Sequence, residues 1–477
     1  MLIFAFRQIH YCREKLILSM LKITNTKIIR NNQLEDVKII IEEGKIKNIL
    51  SMKDISPSTD KEIDLEGRVT FPGFIDPHVH FDDPGFTERE DFETGTKGAA
   101  AGGITTIIDM PCTSSPQVTN GDNFDYKLKI VEKKAYVDFA FWGGVTPEQV
   151  KNGEYKKSLK ELHDRGIAGV KFYTISGMKL YPRMPIPDMD KAFRFLKELG
   201  LICAVHAEDY YLADYYSNKM ISQGRRDVAS WCEGRTYEAE PKAIWSVVGV
   251  SGKVGNKLHI VHLSTCEGLN VIRWAKDKGM DISTETCPQY LLFNIEDFKR
   301  LGAILKVAPP LREKRDNEAL WNGLKDHSIS FICTDHAAGK FPLEKSYPSI
   351  WDNYAGIPGT QLMVPVMFHY GYQREKLSLQ ELQEIMSENA AKRYGLYPQK
   401  GTIQVGSDAD LTVMDLEKEW EVDVSKLKSK GKYSVFSGQK IKGKVFLTMV
   451  RGKIVFKEDE GILGTKGYGQ LVMCKNK

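Results

Sequence analysis

Short apolar runs rich in β-branched residues alternate with amphipathic helical segments through most of the chain, and that alternation constrains the fold more than any other feature of the sequence. The runs are 105–109 (TTIID), 168–173 (AGVKFY), 201–206 (LICAVH), 258–262 (LHIVH), 281–285 (DISTE) and 329–335 (ISFICTD), with helical patterns that include 157–165, 189–199, 240–254 and 267–278. Strand and helix repeated this often predict a parallel sheet covered by helical crossovers. Ionisable residues then decide between the two parallel architectures. Lys171, His206, His262 and Asp335 each lie in or at the end of a different apolar run, and in a (β/α)8 barrel the carboxyl ends of the strands form the active-site face. The alternative, a doubly wound open sheet, calls for a glycine-rich phosphate turn, and no G-x-G-x-x-G follows any of these runs.

The stretch 71–80, Phe-Pro-Gly-Phe-Ile-Asp-Pro-His-Val-His, supplies the first barrel strand. In a strand, side chains alternate between faces, so His78 and His80 point the same way and reach one metal ion. An isolated His-x-His also fits a pair of core histidines; the other strand-end residues weigh against that reading. Together they make four histidines (His78, His80, His206, His262), Asp335 and Lys171. That is more than one tetrahedral catalytic site with an open position needs, and imidazole with carboxylate suits zinc or a similar divalent ion. Two metals are expected, which about 3.5–4 Å apart share a hydroxide formed at neutral pH. An ammonium beside two dications is repelled, whereas a lysine carboxylated by carbon dioxide becomes an anion able to bridge them. His10, His163, His327 and His369 fall in the amino-terminal stretch or on helical patterns, where solvated or packing roles are expected.

Outside the alternating region the pattern is all strand. Residues 20–72 read as short strands with turns at Asn31-Asn32 and Glu43-Gly44; 401–415 and 443–456 read as hairpins, the second turning at Arg451-Gly452. We expect one small β-sandwich built from both ends, 20–72 and 395–477, around a barrel at 73–394. Residues 1–19 start apolar but are interrupted by Arg7, Arg13, Glu14 and Lys15, too often for a signal core or a membrane span. They read as an extension before a natural start at Met20. Lys and Arg (67) nearly balance Asp and Glu (63) without a basic block, so neither nucleic acid nor a membrane is an expected partner. Eight cysteines without a Cys-x-x-Cys pair suggest reduced thiols in a cytoplasmic protein, with Cys112, Cys203, Cys287 and Cys333 buried.

These residues sit in motifs that resemble the cyclic-amide branch of the amidohydrolase superfamily, which includes dihydroorotase, allantoinase and the hydantoinase/dihydropyrimidinase group. The motifs are 72–80, Asp83-Pro-Gly85, 100–106 (AAGGITT), Val170-Lys171, Val205-His-Ala-Glu208, Val261-His-Leu-Ser264, 308–312 (APPLR), Thr334-Asp-His336 and 406–410 (GSDAD). The resemblance implies a (β/α)8 barrel with a composite β-sandwich and two zinc ions bridged by carboxylated Lys171. His78, His80 and Asp335 would hold the more buried ion, and His206 and His262 the other. Asp335 would also move the proton of the attacking hydroxide to the leaving amide nitrogen, with His336 as a neighbour behind the ligands.

Within the branch the motifs divide. Asp82 and Met110-Pro-Cys-Thr113 stand where dihydroorotases typically carry an arginine that pairs with the substrate carboxylate and Met-Pro-Asn-Thr, and an aspartate there repels a carboxylate. Ser176 stands where hydantoinases usually carry tyrosine. Residues 171–177, Leu180-Tyr-Pro182, 308–312 and Leu320-Trp321 look like allantoinase, while Cys287-Pro-Gln-Tyr290 and Gly356-Ile-Pro-Gly359 look like hydantoinase. The expectation is ring-opening of a small cyclic ureide, allantoin to allantoate, in a homo-oligomer (dimer or tetramer), with dihydroorotase and hydantoinase as alternatives. Asp82, Cys112, Thr113 and Ala308 are the expected substrate contacts; the alternative for Asp82 is that it only caps a turn. Two readings of other classes are a scaffold homologue without catalysis, which would lack ligands, and a mononuclear deaminase, which would not need Lys171.

Overall fold

The computed structural model describes residues 20–475; the readings of residues 1–19 and His10 lie outside them. The chain opens with a hairpin of β1 (Leu21–Arg30) and β2 (Gln33–Glu42). Asn31 and Asn32 turn it with φ of 49° and 58°, a left-handed conformation that the short polar side chain of asparagine tolerates. A second turn at Glu43-Gly44 leads to β3 (Lys45–Ser51) beside β2, and β4 (Lys61–Asp64) and β5 (Val69–Pro72) run parallel to β1.

From β6 (Phe74–His80) the strands become parallel: β7 (Ile104–Asp109), β8 (Asp138–Phe141), β9 (Gly143–Gly144), β10 (Gly169–Tyr173), β11 (Ile202–His206), β12 (Leu258–Ile260), β13 (Ile282–Thr286), β14 (Phe331–Ile332) and β15 (His336–Ala337). One ladder runs β14-β13-β12-β11-β10-β9 and the other β15-β6-β7-β8. Only Trp142 separates β8 from β9, and only residues 333–335 separate β14 from β15, so eight strand positions close a barrel. Every residue in these strands is buried, as expected when helices cover a parallel sheet on its outer face. The helices foreseen at 157–165, 189–199, 240–254 and 267–278 are Tyr155–Asp164, Ile186–Glu198, Ala239–Val254 and Cys266–Asp277.

The chain then returns to antiparallel strands, β16 (Leu411–Glu421), β17 (Lys440–Val450), β18 (Lys453–Lys457) and β19 (Gly461–Ile462). β16 pairs with β5, which joins the two ends of the chain in one ladder, β19-β18-β17-β16-β5-β1-β2-β3. Strands from both ends of the chain share one core that includes Ile23, Ile39, Ile41, Leu411, Leu447 and Met449, and they belong to one continuous nine-stranded sheet. β17 and β18 form the second expected hairpin, turning at Arg451-Gly452. The first one, at 401–415, is not formed. Its leading half gives its backbone hydrogen bonds to the β2–β3 turn (Gly406 N to Ile46 O, 2.8 Å; Ala409 N to Gly44 O, 2.7 Å). Buried Lys400 also gathers Asp138, Asp408 and Asp410 at 2.7, 3.2 and 2.6 Å, and the backbone there turns on itself, Asp410 N donating to Asp408 O at 2.8 Å. The seven described cysteines are free thiols, and among the described residues no helix is long and apolar enough to cross a membrane.

Candidate metal-dependent active site

Four imidazoles, one carboxylate and one amine meet at the carboxyl ends of the barrel strands. On β6 the two-residue spacing brings His78 and His80 to one side, and the Nε2 atom of each lies 3.2 Å from Asp335 Oδ1. His206 ends β11, and its Nδ1 lies 2.9 Å from Nε2 of His262, just past β12. Lys171 lies within β10, fully buried, and its amine has no hydrogen-bond partner. Asp82, His262 and Asp335 have φ of 55°, 38° and 51°. Such left-handed backbone costs a side-chain-bearing residue about 1–2 kcal/mol, and strain of this kind concentrates at functional sites. Asp76 holds the break before Asp335 by accepting from Thr334 N (3.1 Å) and Thr334 Oγ1 (2.6 Å).

The outer nitrogens of three imidazoles are occupied by protein. His78 Nδ1 meets Glu285 Oε1 at 2.5 Å, His206 Nε2 meets Glu208 Oε2 at 2.8 Å, and His80 Nδ1 meets Thr113 Oγ1 at 3.3 Å. Metal-binding histidines are commonly oriented this way, with the second nitrogen held by an acceptor and the first left to ligate. Burial, and then the Lys171 charge, holds His78 down to about 4, which keeps the imidazole in its neutral, ligating form. Burial by itself would raise Asp335, but His78 and His80 outweigh it and keep the carboxyl below the ordinary value. The ligand atoms of His78, His80 and Asp335 all lie within 4.8 Å of one another. This donor set fits a divalent metal.

A cavity of about 480 Å³ opens above these groups, lined by His80, His206, His262 and Asp335 and walled by Asp82, Cys112, Thr113 and Ala308. His78 and Lys171 lie beneath it and are not part of its wall. Both Asp82 oxygens are buried without a hydrogen-bond partner, so the side chain caps no turn, and burial pushes this carboxyl up to about 8. Two guanidinium groups reach the wall, and both are engaged: Arg89 with Glu344 at 2.7 Å, and Arg235 with Glu208. Lys179 stands at the exposed rim. A larger groove, about 780 Å³, lies on the small sheet by Met20, Phe446 and Lys457 and contains none of the site residues.

Several site residues carry no signal of their own in the sequence. Glu285 and Glu208 lie in motifs that are visible there, but their pairing with His78 and His206 joins different strands or follows a turn. His259, Tyr173, Trp231, Arg235 and Tyr354 are likewise placed by tertiary contacts. His336 turns away from the cavity to Glu90 (3.1 Å) and accepts from the Gly359 and Thr360 amides, both at 3.3 Å, so it braces a loop. His163 sits on a helix beside Asp164 at 3.0 Å, and His369 Nδ1 accepts from Lys442 N at 3.1 Å.

Barrel, small sheet and convergent ligand set define a metal-dependent hydrolase. The sequence profile of the Amidohydrolase family matches residues 69–455, and the chain belongs to that family. It is 35% identical over 415 residues to the allantoinase of Rubrobacter xylanophilus, covering 87% of this chain and 90% of that one. It is 33% identical over 460 residues to the L-hydantoinase of Paenarthrobacter aurescens, covering 95% and 98%. The solved structure of the L-hydantoinase from Arthrobacter aurescens superposes with a TM-score of 0.89 at 32% identity, over 96% of this chain and 100% of that one.

Proposed function

We propose that this chain is a cyclic amidohydrolase that opens a ring amide of a neutral cyclic ureide, allantoin to allantoate. The observation that carries the proposal is the convergence of His78, His80, His206, His262, Asp335 and Lys171 beneath a cavity walled by an unpaired aspartate. His78, His80 and Asp335 would hold one divalent ion, most simply zinc, and His206 and His262 a second, with carboxylated Lys171 between them. Such ions lower the pKa of bound water toward neutrality and polarise a carbonyl. Burial lowers the pKa of Lys171, which favours the free amine; the amine adds carbon dioxide to give a carbamate and releases one proton.

The protein's own groups supply the rest. Asp335, ionised and facing the cavity, would accept the proton of the attacking hydroxide and return it to the departing amide nitrogen, so hydroxide and the ring amide give a carboxylate and a neutral ureido group, the proton lost in forming hydroxide from water having gone to solvent. Asp82, whose burial favours the neutral carboxyl, would accept from a ureido N–H through its carbonyl oxygen and donate its O–H to a ring carbonyl. Arg89 and Arg235 are each already matched to a glutamate, which leaves the wall no arginine for a substrate carboxylate and favours a neutral ring over dihydroorotate. A hydantoin is the second reading, favoured by the likeness to L-hydantoinase over nearly the whole chain. Cytoplasmic location and a homo-oligomeric state belong to the same proposal, the latter checked by light scattering.

Turnover of allantoin, hydantoin, dihydrouracil and dihydroorotate by the zinc-loaded protein tests the assignment. Allantoin should exceed dihydroorotate by orders of magnitude in kcat/KM, and Asp82→Arg should narrow that gap. A wild-type preference for dihydroorotate would refute the substrate assignment, and a preference for hydantoin would select the second reading.

A further inference from the structure

We propose that Glu285 and His259 are positioning residues for His78: a buried relay under the cavity that fixes which nitrogen His78 presents to a metal and places a negative charge behind it. The inference rests on the metal-dependent reading above and adds two residues that this reading does not use. Glu285 sits on β13 with its side chain 1% exposed, and its only ion-pair partners among the described residues are two imidazoles. Oε1 meets His78 Nδ1 at 2.5 Å, and Oε2 lies 3.4 Å from His259 Nε2. His259 Nδ1 in turn meets Ser283 Oγ at 2.8 Å.

β-strand geometry produces this line of groups. Ser283 and Glu285 are two residues apart on β13 and share a face, and His259 is opposite Ser283 in the β12–β13 register. The imidazole is clamped between aromatic rings, Phe331 at 5.2 Å and 17° and Trp142 at 6.4 Å and 18°. An apolar ring would pack there equally well, so the polar edge of His259 needs another explanation. Nδ1–H of His78 donates to Oε1 of Glu285, since a carboxylate only accepts. Nε2 of His259 lies 3.4 Å from Oε2 as an electrostatic contact without hydrogen-bond geometry, and the tautomer with the proton on Nε2, Ser283 then donating to Nδ1, is the one that faces the carboxylate favourably. His78 is left with an unprotonated Nε2 on the side of Asp335. A buried carboxylate is costly unless paired and hydrogen-bonded, and a carboxylate behind a ligating imidazole raises its basicity and holds its ring.

The other imidazoles are backed differently. Glu208 behind His206 is shared with Arg235, which cancels its charge; Thr113 behind His80 is neutral; and His262 Nδ1 has no partner. The site that includes His78 is therefore the one that should lose most when its support is removed.

The test is a chelator titration of the full chain loaded with zinc, read as zinc per chain by elemental analysis, and repeated with cobalt to follow its visible absorption. Glu285→Gln keeps the shape but removes the charge and should release the tighter ion at about 10–100-fold lower chelator. His259→Phe should give a smaller shift in the same direction with an altered cobalt spectrum, and His259→Gln, which retains an N–H toward Glu285, should stay near wild type. Curves for Glu285→Gln and His259→Phe that superpose on wild type would overturn the relay. So would His259→Phe staying at wild type while His259→Gln falls, since that marks a packing role alone; this second comparison stands even if Glu285→Gln fails to fold. A wild type that takes up no zinc would instead overturn the metal-dependent reading itself, and the relay with it.

Discussion

Lys171→Met separates a lysine that serves as a carboxylated bridge from one that is merely buried. Methionine replaces the amine with a thioether of similar length in a fully buried position. Because the amine has no hydrogen-bond partner, its loss strands no other group, and the metal-free variant should melt within a few degrees of metal-free wild type. With excess zinc the two should part. If loss of the bridge weakens zinc binding about 100-fold, the stabilisation that zinc confers falls by about 2.7 kcal/mol. Unfolding entropy of roughly 2.1 cal/mol/K per residue over 477 residues is about 1 kcal/mol/K, so the zinc-dependent rise in Tm should shrink by about 3 °C. Calorimetry with and without zinc reads that difference, and elemental analysis should show most of the metal gone. Incubation with carbon-13 bicarbonate should label wild type and not the variant. A variant that keeps about two zinc ions per chain, with the same zinc-induced rise in Tm and full turnover, refutes the reasoning.

Asp335→Asn removes the proton carrier while keeping an oxygen near His78 and His80, and kcat measured at saturating zinc should fall by about 10²–10⁴-fold; an unchanged kcat would assign proton transfer elsewhere. Lys400→Met removes a cation shared by three buried aspartates; Asp138 keeps Arg451 and Asp408 keeps Lys45, while Asp410 is left without an ion-pair partner among the described residues, and breaking such a buried pair costs about 3–5 kcal/mol. Its pH dependence has a definite sign. Burial alone would raise Asp408, but the Lys400 charge, together with the hydrogen bonds from Gln399 and Lys45, outweighs it and holds Asp408 below its ordinary value. That contribution is present above the unfolded carboxyl value, about 3.9, and is lost as pH falls through the folded one, so the Tm gap between wild type and Lys400→Met should be larger at about pH 5 than at about pH 3 and not the reverse.

The sequence by itself determined the periodicities, and with them the architecture. Alternating strand and helix patterns specify a parallel barrel because each apolar run must be covered by the helix that follows it, and the two-residue period of β6 is enough to put His78 and His80 on one side. Turns written in local chemistry, such as Asn31-Asn32 and Arg451-Gly452, were legible for the same reason. Only the tertiary structure decided how residues distant in sequence share protons and charge. The strand-like stretch at 401–410 is a loop because its backbone donors at Gly406 and Ala409 are taken up by Ile46 and Gly44, which lie far earlier in the chain, while Lys400 joins Asp138 to Asp408 and Asp410. Glu285 looks like one more polar residue at a strand end; its 2.5 Å contact with His78 arises because closing the barrel brings β6 and β13 to the same axis, and no linear pattern encodes that distance. Asp82 was visible as an aspartate after His-x-His, but that its carboxyl group faces the cavity with no partner follows from the left-handed backbone at that residue and from the loops that wall the barrel mouth.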